Sequence, residues 1–163
     1  MHESILAHQR KRNQTPIGER LDVVAGGAPL GDDPSMEYYD LGPHTRPVTT
    51  SDPVAQMWFD RGLNWLYAFN HAEAIECFGR AIDADDGCGL AHWGMSLALG
   101  PNYNLPWTLM DDATRRTMLT RAVDAADAGR ATLATMTGPE AALIEALEFR
   151  YPQREPIEDQ MPW

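Results

Sequence analysis

Large apolar and small residues alternate at helical spacing through residues 58–87 of this chain. The spacing is four residues and then three in each half of the segment, which predicts two consecutive helices, each with one apolar face. The positions are Trp58, Gly62 and Trp65 in the first helix and Ala74, Phe78 and Ala81 in the second. The small residues indicate where two backbones come close, and the rings fill the space around them. Because one helical hairpin cannot bury both of its faces, we expect further helices stacked on it.

Capping residues and helix breakers predict where each helix begins and ends. Asp52 before Pro53 places a capping side chain ahead of a proline at the first helical position. The expected helices run from Pro53 to about Phe69, from His71 to about Ala84, from Gly89 to Leu99, from Asp111 or Asp112 to about Ala128, and from Thr137 through an apolar stripe that reaches Tyr151. The fold class that follows is all-α.

The chain divides into a leader, a helical body and a short tail. Five prolines and five glycines between residues 13 and 52 exclude a long helix there. We therefore assign residues 1–52 to an N-terminal arm that is partly extended or disordered, 53–151 to a helical domain, and 152–163 to a polar C-terminal tail. We expect residues 36–51 to lie extended against the helices, since their apolar side chains would otherwise be exposed.

The helical pattern resembles the tetratricopeptide repeat (TPR). That family places an aromatic residue, a glycine and an aromatic residue in the first helix of a repeat, and alanine, an aromatic residue and alanine in the second. This chain carries those residue types between Trp58 and Ala81, and one repeat later His92, Ser96 and Leu99 stand at the first-helix positions. The stretch AHWGMSLALGPNYNLPW, residues 91–107, is also similar to longer bacterial TPR proteins. The resemblance implies antiparallel hairpins in a right-handed superhelix, in an N-terminal piece of a longer chain.

Composition narrows the classes of partner. The formal net charge is −11, from 24 acidic and 13 basic side chains, so nucleic acid is not expected to bind because its phosphates would be repelled. No run of apolar residues is long enough to cross a membrane, and the N-terminus lacks the apolar core of a secretory signal. We predict a cytoplasmic protein without a membrane partner. The sequence carries no phosphate-binding loop and no common catalytic motif, so we expect neither a cofactor nor enzyme activity.

The leading function is a scaffold that binds a protein or peptide. The TPR resemblance implies that the first helix of each pair lines a concave binding face, here through Gln56, Phe59, Leu63, Leu66 and Tyr67, followed by Trp93 and Leu97. A second candidate is the loop from Gly100 to Trp107, which would hold a small polar ligand or peptide. Its candidate residues are Asn102, Tyr103, Asn104 and Trp107, although the asparagines are also typical turn formers.

A metal- or redox-linked module of a longer enzyme is the alternative. Cys88 and His92 are spaced four residues apart at the start of the third predicted helix, and a helix N-terminus lowers the pKa of a thiol and so favours the thiolate. His71 is available as a third ligand. Two ligands do not define a zinc site, however, and we expect His92 to be a packed side chain at a position where the repeat has an aromatic residue.

Overall fold

The computed structural model describes residues 38–155. Its helices are α1 (Pro53–Tyr67), α2 (His71–Ala84), α3 (Gly89–Leu99), α4 (Asp112–Ala131), α5 (Gly138–Glu145) and α6 (Leu147–Arg150), with short 3₁₀ turns at Trp107–Leu109 and Leu133–Thr135. Within 38–155 the only β-type pairing is an isolated bridge between Asn102 and Leu105, so the all-α class is confirmed for this part of the chain. None of the helices described there is both long and apolar enough to cross a bilayer.

The chain divides into two units between Asp40 and Leu41, and every described helix belongs to the second unit. Of the first unit the structure describes residues 38–40, where the rings of Tyr38 and Tyr39 contact edge to face with centroids 5.4 Å apart. The predictions for residues 1–37 of the arm and 156–163 of the tail lie outside the described residues.

Helix α1 begins as predicted and ends earlier than predicted. The Asp52 carboxylate accepts from the backbone N–H groups of Val54 and Ala55 at 2.6 and 3.2 Å, and this caps the helix ahead of Pro53. The end expected near Phe69 is wrong by two residues. Phe69 has a φ of 61°, in the left-handed region, because the chain must turn sharply before α2 begins.

The later helices differ from prediction in two places. Helix α4 continues to Ala131 rather than about Ala128, since Gly129 packs closely against α3: a Cβ at Gly129 would lie 3.3 Å from His92 Cβ. The stripe expected to run unbroken to Tyr151 is divided into α5 and α6 at Ala146. Glu140 accepts from the Thr137 hydroxyl and N–H at 2.8 and 3.2 Å and so helps to cap α5.

Phe78 of α2 is the centre of the core formed by α1, α2 and α3. Its side chain is fully buried, and its ring centroid lies 5.8 Å from that of Phe59. A Cβ at Gly62 of α1 would come within 2.8 Å of the Phe78 ring, and so would one at Gly94 of α3. The small residue at 62 therefore permits a close approach between helices, as predicted, whereas the sequence had pointed to Ser96 rather than Gly94 for the same role on α3.

The other residues of the predicted pattern divide between core and surface. Ala74, Ala81 and Trp65 are buried. Trp58 is half-buried, and the guanidinium carbons of Arg61 and Arg80 lie 4.5 and 4.6 Å from its ring centroid. Trp58 is thus covered by cationic side chains rather than enclosed in the core.

Candidate functional site

Residues 44–50, here called the strap, run alongside α1 without forming helix or strand. The strap is bonded to α1 in reverse order: residue 44 to residue 64, residue 46 to residues 60 and 56, and residue 48 to residue 56. From residue 56 to residue 64 the helix rises about 12 Å, at 1.5 Å per residue. The strap covers the same distance between residues 48 and 44, about 3 Å per residue, which requires an extended backbone. The strap is therefore an extended segment that runs antiparallel to α1.

Three polar side chains spaced four residues apart, Gln56, Asp60 and Asn64, hold the strap; we call them the ladder. Every bond that they make to the strap is to a backbone atom. The bonds are Asn64 Nδ2 to the His44 carbonyl at 3.2 Å, the Arg46 N–H to Asp60 Oδ1 at 2.9 Å, Gln56 Nε2 to the Arg46 carbonyl at 2.9 Å, and the Val48 N–H to Gln56 Oε1 at 3.0 Å. The ladder therefore forms hydrogen bonds to the peptide backbone at alternate residues of the strap.

The amide side chains of the ladder also make hydrogen bonds within α1. Gln56 Nε2 donates to Asp60 Oδ2 at 3.1 Å, and Asn64 Nδ2 donates to the Asp60 carbonyl oxygen at 2.8 Å. These bonds within α1 restrict the rotamers of the amide side chains independently of the strap. Donors and acceptors are thus held in place for an extended backbone, which reduces the entropy lost on binding.

The far end of the strap is held by two threonine residues and two carboxylates. The Thr49 N–H donates to Glu140 Oε1 at 2.8 Å, the Thr49 hydroxyl donates to Glu140 Oε2, and the Thr50 hydroxyl donates to Asp85 Oδ2. Burial raises the pKa of Glu140, but the hydrogen bonds from Thr49 and Thr137 together outweigh it, and the pKa lies below its usual value. Glu140 therefore remains an ionised acceptor at neutral pH.

Three residues of the predicted concave binding face are buried in the structure. Phe59, Leu63 and Leu66 are buried in the core, so a ligand cannot contact them in this conformation. Gln56 does face a peptide segment, but that segment is the chain's own strap. Helical periodicity placed these side chains on one helix, yet the direction from which α2 covers α1 decides which of them stay accessible.

The remaining candidates of that face keep some exposure, and further exposed aromatic residues lie near them. Tyr67 is 71% exposed at the end of α1, while Trp93 and Leu97 are half-buried on α3. The predicted set did not include Phe69 and Phe149, which are 62% and 87% exposed. Their signal in the sequence is an aromatic residue directly next to a helix end, where little chain is available to cover it.

These exposed rings belong to the same end of the helical body. The Phe69 ring lies 6.5 Å from the His71 ring, and Arg150, which follows Phe149, donates to the Pro101 carbonyl at 2.6 Å. Burial is the largest influence on the pKa of His71 and lowers it, with a further lowering by the nearby charge of Arg150. The ends of α3 and α6 therefore meet at Pro101.

The candidate residues of the loop from Gly100 to Trp107 differ in burial and in hydrogen bonding. Asn102 Oδ1 accepts from the N–H groups of Asn104 and Leu105 at 3.0 and 3.1 Å, so its side chain closes the turn. Trp107 is buried, whereas Tyr103 is 93% exposed. The structure thus gives Asn102 and Trp107 structural roles and leaves the Tyr103 ring in solvent.

The prediction of an activated thiol at Cys88 is wrong. Its side chain is fully buried, and this burial raises the pKa of the thiol to about 11. The carboxylates of Asp85 and Glu140 contribute smaller increases, whereas a backbone hydrogen bond from Ala91 lowers the pKa. The thiol is therefore protonated at neutral pH. Loss of hydration outweighs the effect of the helix N-terminus.

The three residues of the alternative site do not come together. His92 is buried, and its Nε2–H donates to the Asp86 carbonyl at 2.9 Å. His71 and Cys88 flank opposite ends of α2, about 20 Å apart along the helix axis. Among residues 38–155 no group of three or more histidine, cysteine, aspartate or glutamate side chains is placed to hold a metal ion.

No protein-family model, curated protein or solved structure matches this chain.

Proposed function

We propose that this protein is a TPR-like helical repeat scaffold that binds an extended segment of another protein along α1. The observation that supports the proposal most is the ladder, whose three braced side chains already hold the backbone of an extended segment in the same chain. No reacting group is needed for this role, and the protein acts by binding rather than by catalysis.

The spacing of the ladder suits extended backbone of many sequences. Side chains four residues apart lie about 6 Å apart along a helix, and alternate residues of an extended chain lie about 6.6 Å apart. Successive ladder residues therefore meet successive outward-facing amides of the bound segment. Since the bonds use backbone atoms, the side chains of the bound segment remain free to vary, apart from a proline where the ladder needs an N–H group.

Hydrogen bonds alone do not give a stable complex. Each is worth about 0.5–1.5 kcal/mol net, whereas association costs about 4–15 kcal/mol in lost freedom of motion. Apolar contact must supply the difference. The strap pairs residue 44 with residue 64. If a bound segment continues that register by two more residues, it reaches the end of α1, where the ring of Tyr67 is exposed. Tyr67 and Phe69 are the anchors that we assign to such a segment.

Charge selects among the possible partners. The net charge of −11 and the carboxylate of Asp60 within the ladder favour neutral or basic segments over acidic ones and over nucleic acid. The strap itself follows this rule, since its one charged side chain is Arg46.

The test uses a labelled synthetic peptide of residues 41–51, LGPHTRPVTTS, and the full chain carrying Arg46→Pro and Val48→Pro. These substitutions remove the two strap N–H groups that the ladder accepts and leave the ladder intact. We expect saturable binding by fluorescence anisotropy. The control peptide is N-methylated at the residues equivalent to Arg46 and Val48.

Loss of two hydrogen bonds at about 1 kcal/mol each weakens binding by roughly 30-fold, so the methylated peptide should bind at least about tenfold more weakly. Gln56→Ala and Asn64→Ala, introduced in the same strap variant, should weaken the unmodified peptide as well. Equal affinity for both peptides would show that the ladder does not form hydrogen bonds with the N–H groups of the bound segment. Absence of saturable binding by the unmodified peptide would refute the proposed function.

A further inference from the structure

We propose that the strap is a built-in competitor, which occupies the binding site in cis and must leave the ladder before a partner segment can bind. This inference rests on the proposed function and adds its regulation. The strap and a partner would use the same atoms: the side-chain amides of Gln56 and Asn64 and the carboxylate of Asp60. Both cannot be bound at once.

The strap can leave without opening the core. Every residue from 44 to 50 is exposed or half-buried, whereas the buried core residues come from the helices and the segments between and after them. Its attachment includes the hydrogen bonds to the ladder and to Glu140 and Asp85. Segments held by solvent-accessible hydrogen bonds and little apolar burial are the ones that detach in local opening.

The strap has the advantage of being covalently attached. Ser51 and Asp52 are all that separate Thr50 from Pro53, the first residue of α1. A short connection gives an effective concentration in the millimolar range. A partner can bind only the fraction of molecules whose ladder is free. Its apparent dissociation constant therefore equals the intrinsic dissociation constant divided by that fraction.

The threonine anchors are the points at which release is controlled. The Thr50 hydroxyl donates to Asp85, so an acidic side chain at position 50 would place like charges together and lose the donor. Asp85 belongs to the turn after α2 and Glu140 to α5, and neither is part of the ladder. Weakening these anchors frees the ladder without altering the atoms that bind a partner.

The experiment measures anisotropy of the labelled LGPHTRPVTTS peptide with four full-length proteins: wild type, Arg46→Pro with Val48→Pro, Thr50→Asp, and Thr45→Pro as the matched control. Thr45 lies in the strap between two bonded residues, but the ladder does not accept its N–H. We expect both strap-weakened proteins to bind the peptide at least about tenfold more tightly than wild type, and the Thr45→Pro protein to bind like wild type.

The outcomes separate this inference from the proposed function. Equal affinity in all four proteins would overturn competition by the strap while leaving peptide binding in place. Failure of every protein to bind would refute the proposed function itself. Circular dichroism and thermal melting establish that each variant is folded, and Thr50→Asp, which leaves the strap backbone unchanged, decides the question if the double proline variant does not fold.

Discussion

Substitution of Gly94 by alanine tests the packing on which the helical body depends. Phe78 is fully buried between α1 and α3, and three of its ring atoms lie within 2.8 Å of the position that a Cβ at Gly94 would take. The two nearest ring atoms would lie 2.4 Å from that Cβ, whereas ordinary van der Waals contact begins at 3.4 Å, so the ring or the helix must move by about 1 Å. The ring cannot retreat freely, because Gly62 and Phe59 contact it as well.

Two opposing effects set the magnitude. Forcing an additional methyl group into a well-packed core costs about 1–3 kcal/mol. Replacing glycine by alanine inside a helix gains up to about 1 kcal/mol through helix propensity. We therefore expect Gly94→Ala to lower the free energy of unfolding by about 1–2 kcal/mol.

The matched control is Gly79→Ala in α2. A Cβ there would meet only Met95 Cε, at 3.6 Å, which is an ordinary contact with the end of a flexible side chain. The gain in helix propensity is then unopposed, so this variant should be more stable than wild type by up to about 1 kcal/mol. Urea denaturation followed by circular dichroism measures both variants on the same scale.

A third variant makes the test specific to the ring. Phe78→Leu in the Gly94→Ala background relieves the clash, so the two substitutions together should cost less than the sum of their separate effects. If Gly94→Ala proved as stabilising as Gly79→Ala, or if the two costs simply added, Phe78 would not be packed between these helices.

Substitutions at Ala74, Tyr151 and Glu140 test individual parts of the fold. Ala74→Glu, which buries an unpaired charge between helices, should abolish the cooperative thermal transition; an unchanged melting temperature would contradict the packing of α2. Tyr151→Phe removes the hydroxyl that donates to the Ser96 carbonyl at 2.9 Å, and should lower stability by about 1–2 kcal/mol in urea denaturation. The pKa of Glu140 in the folded protein lies below its usual value. The ionised carboxylate therefore stabilises the fold fully above its pKa in the unfolded chain, about 4.3, and this stabilisation is lost as the pH falls through the folded pKa. The difference in free energy of unfolding between wild type and Glu140→Gln should shrink between pH 7 and pH 3.

Local chemistry in the sequence was sufficient to predict most of the helices. Asp52 and Pro53 mark the start of α1, and Gly100 marks the end of α3, because capping and helix breaking depend on residues within one turn of each other. The same holds for the close approach at Gly62, where a small residue within an aromatic pattern indicated that another element packs there. The left-handed turn at Phe69 carried no such signal, since an aromatic residue seldom adopts that conformation.

The candidate site could not be predicted in the same way. Gln56, Asp60 and Asn64 form a polar stripe at helical spacing, which in a sequence resembles an ordinary solvent-exposed face. Only the path of residues 44–50 shows that the stripe binds backbone. Phe59 shows the reverse case, an apolar side chain that the repeat pattern assigns to a binding face and that α2 covers.

Cys88 illustrates the physical reason for this division. Its place at the start of a helix is a local property, which the sequence by itself determined and which acts to lower the pKa of the thiol. Its burial is a property of the folded chain and raises the pKa to about 11, and the charge of Glu140, which is distant in the sequence, adds to that rise. Helix formation depends on neighbours within a few residues, whereas solvation and accessible surface depend on every element packed around a group, and the tertiary structure alone decides which those are.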